Sequence, residues 1–168
     1  EYSSRMYIKT ANGIRSLVIP VGRKGNHIPL KDKRISYQEK WRLNHWRSLV
    51  YAYQNSPYFE YYADALKKLY ETKPVFLLDF HLQALEIVHT QLGIELAIQQ
   101  TKAYLLTHKY QRDYRQAFDP KHQVMPPWFE PISYPQVFEG FEAELSILDL
   151  LFNEGPAARI LLRRLFRG

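Results

Sequence analysis

The sequence predicts an α+β domain, with a small antiparallel sheet or hairpin at the N-terminus followed by a mainly helical body. Three observations carry that prediction. "RMYIKT" and "IRSLVIPV" are β-rich runs separated by "ANG". From about residue 38 onward, apolar side chains recur at spacings of three and four, the period of a half-buried helix. Finally, 168 residues with 46% hydrophobic and 24% charged content suffice for one core, so residues 1–168 are read as a single domain.

Taken in order, Asn12-Gly13 supplies the positive φ that a tight hairpin turn needs. "GRKGN" is a loop, and "HIPLKDKRIS" an extended segment that Pro29 confines to an edge or a half-ordered strand. Residues 38 to 54 form a helix with a buried stripe of Trp46, Leu49, Val50 and Tyr53. Ser56 is the expected N-cap of the next helix and Pro57 its first residue. In that helix, residues 57 to 71, Tyr58, Tyr61, Tyr62, Ala65 and Leu69 share a face. Pro74 opens a third helix that stops at Gly93. "IELAIQQT" reads as a short strand, and residues 108 to 136 as a loop with one helical turn. Ser146 and Asp149 have the spacing of a capping box for "ILDLLF". Gly155-Pro156 then separates that helix from "AARILLRRLF".

The net charge of +6 is unevenly spread. Arg23 to Arg47 holds eight basic residues against two acidic ones, and Ala157 to Gly168 four against none. Ser48 to Pro156 holds eight against fourteen. Two basic segments around an acidic body suit an anionic ligand or partner; a solvated face is the competing reading. The absence of cysteine excludes disulfides, thiolate metal sites and a cysteine nucleophile. No apolar run reaches the ~20 residues of a membrane span, and no signal pattern is present, so a cytoplasmic location is expected. The chain begins at Glu1, so a natural N-terminal segment is expected to be missing.

Seven of the eighteen residues in "HWRSLVYAYQNSPYFEYY" are aromatic. Register assigns Trp46, Tyr53, Tyr58, Tyr61 and Tyr62 to the core. Trp41, His45 and Ser48 fall on a second face of the first helix, and with Tyr51 they are the candidates to meet a ligand. His45 is the candidate base, against a buried histidine bonded to a backbone carbonyl. In "HIPLKDKRI", His27, Lys31, Lys33 and Arg34 are candidate substrate-binding groups. Alternation would place Lys31 and Lys33 together to hold a diphosphate or carboxylate, or to guard a sheet edge. Asp79 in "FLLDFHL" reads as a buried carboxylate paired with a basic residue. His81 and His89 lack metal-ligand spacing, so no metal and no cofactor is expected. Neither a dinucleotide fingerprint, a Walker sequence nor a nucleophile elbow is present. Arg42 and Arg47 interleave with rings as a nucleic-acid surface requires, but the register buries most of those rings, so this is the secondary reading.

Read together, "HIPLKDKRI", "HWRSLVYAYQNSPYFEYY", "FLLDF", "LGI", "YPQVF" and "LSILDLLFNEGPAA" resemble the WbqC-like protein family, from about Tyr7 to about Ile160. Family members usually carry further N-terminal residues with a Tyr-Leu-Pro element that this chain lacks. The resemblance implies a role in bacterial O-antigen or other surface-polysaccharide biosynthesis. A glycine (aminoacyl) transferase acting on a sugar has been suggested for some members. The implied partners are a nucleotide amino sugar and an activated amino acid. His45 would then be the base, Lys31 with Lys33 or Arg34 the phosphate grip, and Trp41 or Tyr51 a stacking surface. A non-catalytic scaffold of a glycan-assembly complex and a nucleic-acid-binding protein are the competing classes.

Overall fold

The computed structural model describes residues 2–22, 28–95, 97–100 and 131–165. Strands β1 (Arg5–Thr10) and β2 (Gly13–Val18) pair antiparallel, in register from Arg5 opposite Val18 to Thr10 opposite Gly13. Gly13, at φ 96, takes the positive φ of the turn, and Thr10 Oγ1 donates to its carbonyl at 2.8 Å. Five helices follow among the described residues: α1 (Trp41–Tyr53), α2 (Phe59–Glu71), α3 (Leu77–Leu92), α4 (Ile147–Glu154) and α5 (Ala157–Leu165). The α+β expectation holds.

The hairpin lays Ile8 and Leu17, both buried, against α1, whose Leu49 and Tyr53 are buried in turn. Tyr53 and Phe59 pack on Phe152 of α4, with ring centroids 5.0 and 5.1 Å apart. Each such aromatic pair adds about 0.5–1.5 kcal/mol beyond its buried area. Backbone bonds tie the layers: Ser146 N–H donates to the Tyr7 carbonyl at 2.8 Å, and Tyr58 N–H to that of Phe152 at 3.0 Å. α4 is thereby fixed to β1 on one side and to the α1–α2 joint on the other.

Several local expectations need correction. Leu30–Asp32 is a 3-10 turn, so strand alternation does not govern Lys31 and Asp32. Among the described residues of that segment only 34 and 35 bridge, Ile35 to Val21 and Arg34 to Phe76. Ser56 does not cap α2; its hydroxyl donates back to the Tyr53 carbonyl at 2.7 Å, closing the end of α1, while Tyr58 stands at the α2 N-cap. The buried stripe of α2 runs through Phe59, Tyr62, Leu66 and Leu69. Phe59 and Leu66 have no polar atom to place, so they take the centre, leaving Tyr61 78% exposed. Residues 94, 95 and 97–100 form no strand. "GRKGN" after Gly22, His27 and most of the expected 108–136 loop lie outside the described residues.

Gly93 does end α3 as expected, at φ 61 and ψ 36, with its N–H donating to the His89 and Thr90 carbonyls. That left-handed turn satisfies carbonyls the helix end would leave open. Gly155 ends α4 at φ 53 and ψ −127.

Candidate functional site

The two faces expected of α1 are not divided into core and ligand side. Trp41, His45, Ser48 and Ala52 are all buried, together with Leu49 and Tyr53. The polar members are tolerated there because each is satisfied locally. Ser48 Oγ donates to the Asn44 carbonyl one turn back at 2.8 Å. Trp41 Nε1 donates to the Ser36 carbonyl at 3.0 Å. His45 Nε2 lies 3.0 Å from the Val18 carbonyl, to which it donates. The Trp41 and Tyr70 rings meet His45 edge-on at 5.1 and 6.0 Å. Burial lowers the His45 pKa to about 4, with Arg15 adding to the shift and the Val18 bond opposing it.

The remaining sequence candidates do not gather around His45. Tyr51 is 76% exposed. Lys31 is exposed in the 3-10 turn. Lys33 is half-buried and its Nζ reaches Ser3 Oγ at 3.4 Å. The Arg34 guanidinium lies 5.0 Å from the centre of the Phe76 ring. Asp79, expected to be buried, is exposed in the first turn of α3, where a carboxylate meets the positive end of the helix dipole.

The buried ionisable groups converge elsewhere. Lys9, only 5% exposed, is a cation on the inward side of β1. Its Nζ donates to Gln136 Oε1 at 3.1 Å and to the carbonyls of Phe138, Glu139 and Gly140 at 3.0, 2.9 and 2.7 Å. Gln136 continues the network, its Nε2 donating to Asp149 Oδ2 at 3.0 Å. Tyr134 donates its hydroxyl to the same oxygen at 2.8 Å. Asp149 is 1% exposed, and its second oxygen, Oδ1, is buried without a hydrogen-bond partner. Tyr53 stands beside this carboxylate, its hydroxyl accepting the Lys9 backbone N–H at 3.4 Å.

Burial first, and the Asp149 charge second, push the phenols of Tyr53 and Tyr134 far above their ordinary range. Both therefore stay protonated, and each has a single O–H to donate to the neighbouring carboxylate. Asp149 is thus not the capping-box partner that the sequence suggested. Ser146 keeps its half of that motif, accepting from the Leu148 N–H, while its own N–H is bonded to Tyr7.

Tyr134 also lines a cavity of about 210 Å³ with Ile132, Phe141, Ser146, Leu150 and Leu162. Glu144 lines it too and is the one non-glycine residue with positive φ among those described, at 60°. Strained backbone of this kind costs about 1–3 kcal/mol and concentrates at functional sites. Asp149 was detectable in the sequence by the logic applied to Asp79, a carboxylate set inside an apolar run, "SILDLLF". No group of three or more His, Cys, Asp or Glu able to hold a metal occurs among the described residues.

The model of the WbqC-like protein family matches residues 1–125 and, in a second segment, 112–160. The chain belongs to the WbqC-like protein family. An uncharacterized protein of Mycobacterium tuberculosis (strain ATCC 25618 / H37Rv) is 29% identical over 191 residues, an alignment that takes in 97% of this chain and 82% of the relative. No solved structure matches. Within this WbqC-like chain, the matched region holds every member of the Lys9–Gln136–Asp149 network. No helix among the described residues is long and apolar enough to cross a membrane.

Proposed function

We propose that this WbqC-like protein is an aminoacyl transferase, carrying glycine to the amine of an amino-sugar acceptor in surface-polysaccharide biosynthesis. The observation that carries the reading is the fully buried Asp149 carboxylate, whose Oδ2 accepts the Tyr134 hydroxyl at 2.8 Å. Tyr134 links that carboxylate to the cavity, because it lines the one and donates to the other.

In this reading the acceptor amine attacks the acyl carbonyl carbon. The new C–N bond forms as the bond from carbon to the donor's leaving group breaks. The Tyr134 hydroxyl takes the proton that the nitrogen sheds as it passes its own to Asp149 Oδ2, and Gln136 holds the carboxylate in position. The proton-handling role that the sequence suggested for His45 passes to the Tyr134–Asp149 pair, since Tyr134 lines a cavity whereas the imidazole is enclosed by Trp41 and Tyr70 and bonded to Val18.

The test is mass analysis of an amino sugar incubated with the protein and an activated glycine. An acceptor heavier by one glycyl group, lost with folded Asp149→Asn and retained by His45→Gln, is the expected result. Product formed equally by Asp149→Asn would remove Asp149 from the chemistry. An acceptor left unmodified by every activated glycine offered would remove the transferase reading itself.

A further inference from the structure

A second polar site lies where α5 meets the end of α3. Gly93, Ile94, Glu95, Arg159, Leu162 and Arg163 line a cleft of about 680 Å³, within the ~300–1,000 Å³ range of small-molecule sites. The Arg159 guanidinium rests against the backbone of Gly93, where an added Cβ would stand 3.3 Å from Nη1. Glycine is favoured at this position by its φ of 61°.

Arg159 Nε is buried and has no hydrogen-bond partner. Two of the four C-terminal carbonyls of α3 are already engaged. Those of His89 and Thr90 already accept from the N–H groups of Ile94 and Gly93, at 2.9 and 3.1 Å. Arg163 stands four residues further along α5, on the same side. Like charges at that spacing repel, and α5 contains no acidic residue to offset them. Glu95 supplies one negative charge to the cleft, leaving an excess of one positive charge among its three ionisable groups.

We infer that this cleft is a binding site for the phosphoryl end of a small phosphorylated ligand, held by Arg159 and Arg163 over Gly93. A guanidinium offers planar paired donors that match phosphate oxygens. The cleft's volume fits a diphosphate with a group attached. A nucleic-acid backbone would instead need a long basic track, whereas Glu95 interrupts the positive charge within the cleft. Leu162 lines both this cleft and the cavity beside Tyr134, so the two spaces are neighbours. The inference stands without the transferase reading.

The test is calorimetric titration of sodium pyrophosphate into the full chain, with ionic strength held constant by sodium chloride. Saturable binding is expected, roughly tenfold weaker in Arg163→Gln for the loss of one charge-assisted contact. It should be partly restored in Arg163→Lys and abolished in Arg159→Gln/Arg163→Gln. Arg163 is exposed, so its variants report on binding even if the double variant fails to fold. Asp149→Asn should bind pyrophosphate as the parent does, which separates this site from the catalytic proposal. The inference is overturned by the absence of saturable binding, or by binding that Arg163→Gln leaves unchanged. A 20-mer oligonucleotide that binds more tightly than pyrophosphate, with affinity collapsing in salt, would overturn it in favour of a nucleic-acid surface.

Discussion

Replacing Gly155 by alanine should be among the most damaging single-methyl changes in this protein. At φ 53 and ψ −127 the residue occupies backbone space that side chains disfavour, a strain of about 1–3 kcal/mol. The new Cβ would also stand 2.5, 2.6 and 2.7 Å from Cδ1, Cγ and Cε1 of the Tyr58 ring. Carbon atoms in contact prefer about 3.5–4.0 Å, so the ring must move by about an ångström. Tyr58 is not free to follow, because its N–H is bonded to the Phe152 carbonyl at 3.0 Å. Overpacking of this kind adds about 1–3 kcal/mol, for a total of about 2–6 kcal/mol. With about 2–4 °C per kcal/mol for a domain of this size, Tm should fall by roughly 4–24 °C. Gly140→Ala supplies a comparison free of the clash, since Gly140 also has a positive φ, 76°, but nothing within 4 Å of an added Cβ. Thermal unfolding followed by circular dichroism gives both values. Equal losses in the two variants would refute the steric part of the reasoning.

Two further predictions concern the buried polar groups. His45 is neutral in the fold, its pKa near 4 against about 6.5 when exposed, and a gap of that size corresponds to about 3 kcal/mol. The unfolded chain binds the proton first, so this stability is complete above pH 6.5 and is lost as pH falls towards 4. His81 is shifted in the same direction by burial and adds to the loss. His45→Gln should therefore flatten, without abolishing, the fall of Tm between pH 7 and 4; an unchanged profile would contradict the assignment. Lys9→Met leaves Gln136 and three carbonyls without their charged donor, a cost of roughly 1.5–3 kcal/mol. Hydrogen exchange should show residues 136–142 loosened while α1 remains protected. Uniform loosening of both would mean that Lys9 supports the whole core rather than this segment.

Much of the fold was legible because it rests on local rules. The "ANG" turn, the Gly93 stop and the Gly155-Pro156 break each follow from which residues tolerate a given φ, and each stands where the sequence puts it. The faces of α1 and α2 were less legible because apolar and aromatic residues surround both helices. Which side is buried then depends on what the rest of the chain lays against it. His45 and Ser48 show this: amphipathicity sets them apart from the core, yet partners at Val18 and Asn44 let them sit inside it. Asp79 and Asp149 show it again. Both lie in apolar runs, and only the packing of β1 and the 134–142 segment over α4 makes Asp149 the buried one. The network joining Lys9 to Gln136 spans a separation of 127 residues, beyond the reach of any spacing pattern.

The most direct test of the central claim is calorimetry with a free-amine hexosamine and its N-acetylated counterpart, on the parent and on Asp149→Asn. If Asp149 acts on the acceptor amine through Tyr134, the free amine binds the parent, the acetylated sugar binds far more weakly, and the Asp149→Asn variant loses the preference. Equal binding of the two sugars to the parent, or a preference that survives in Asp149→Asn, would contradict the account.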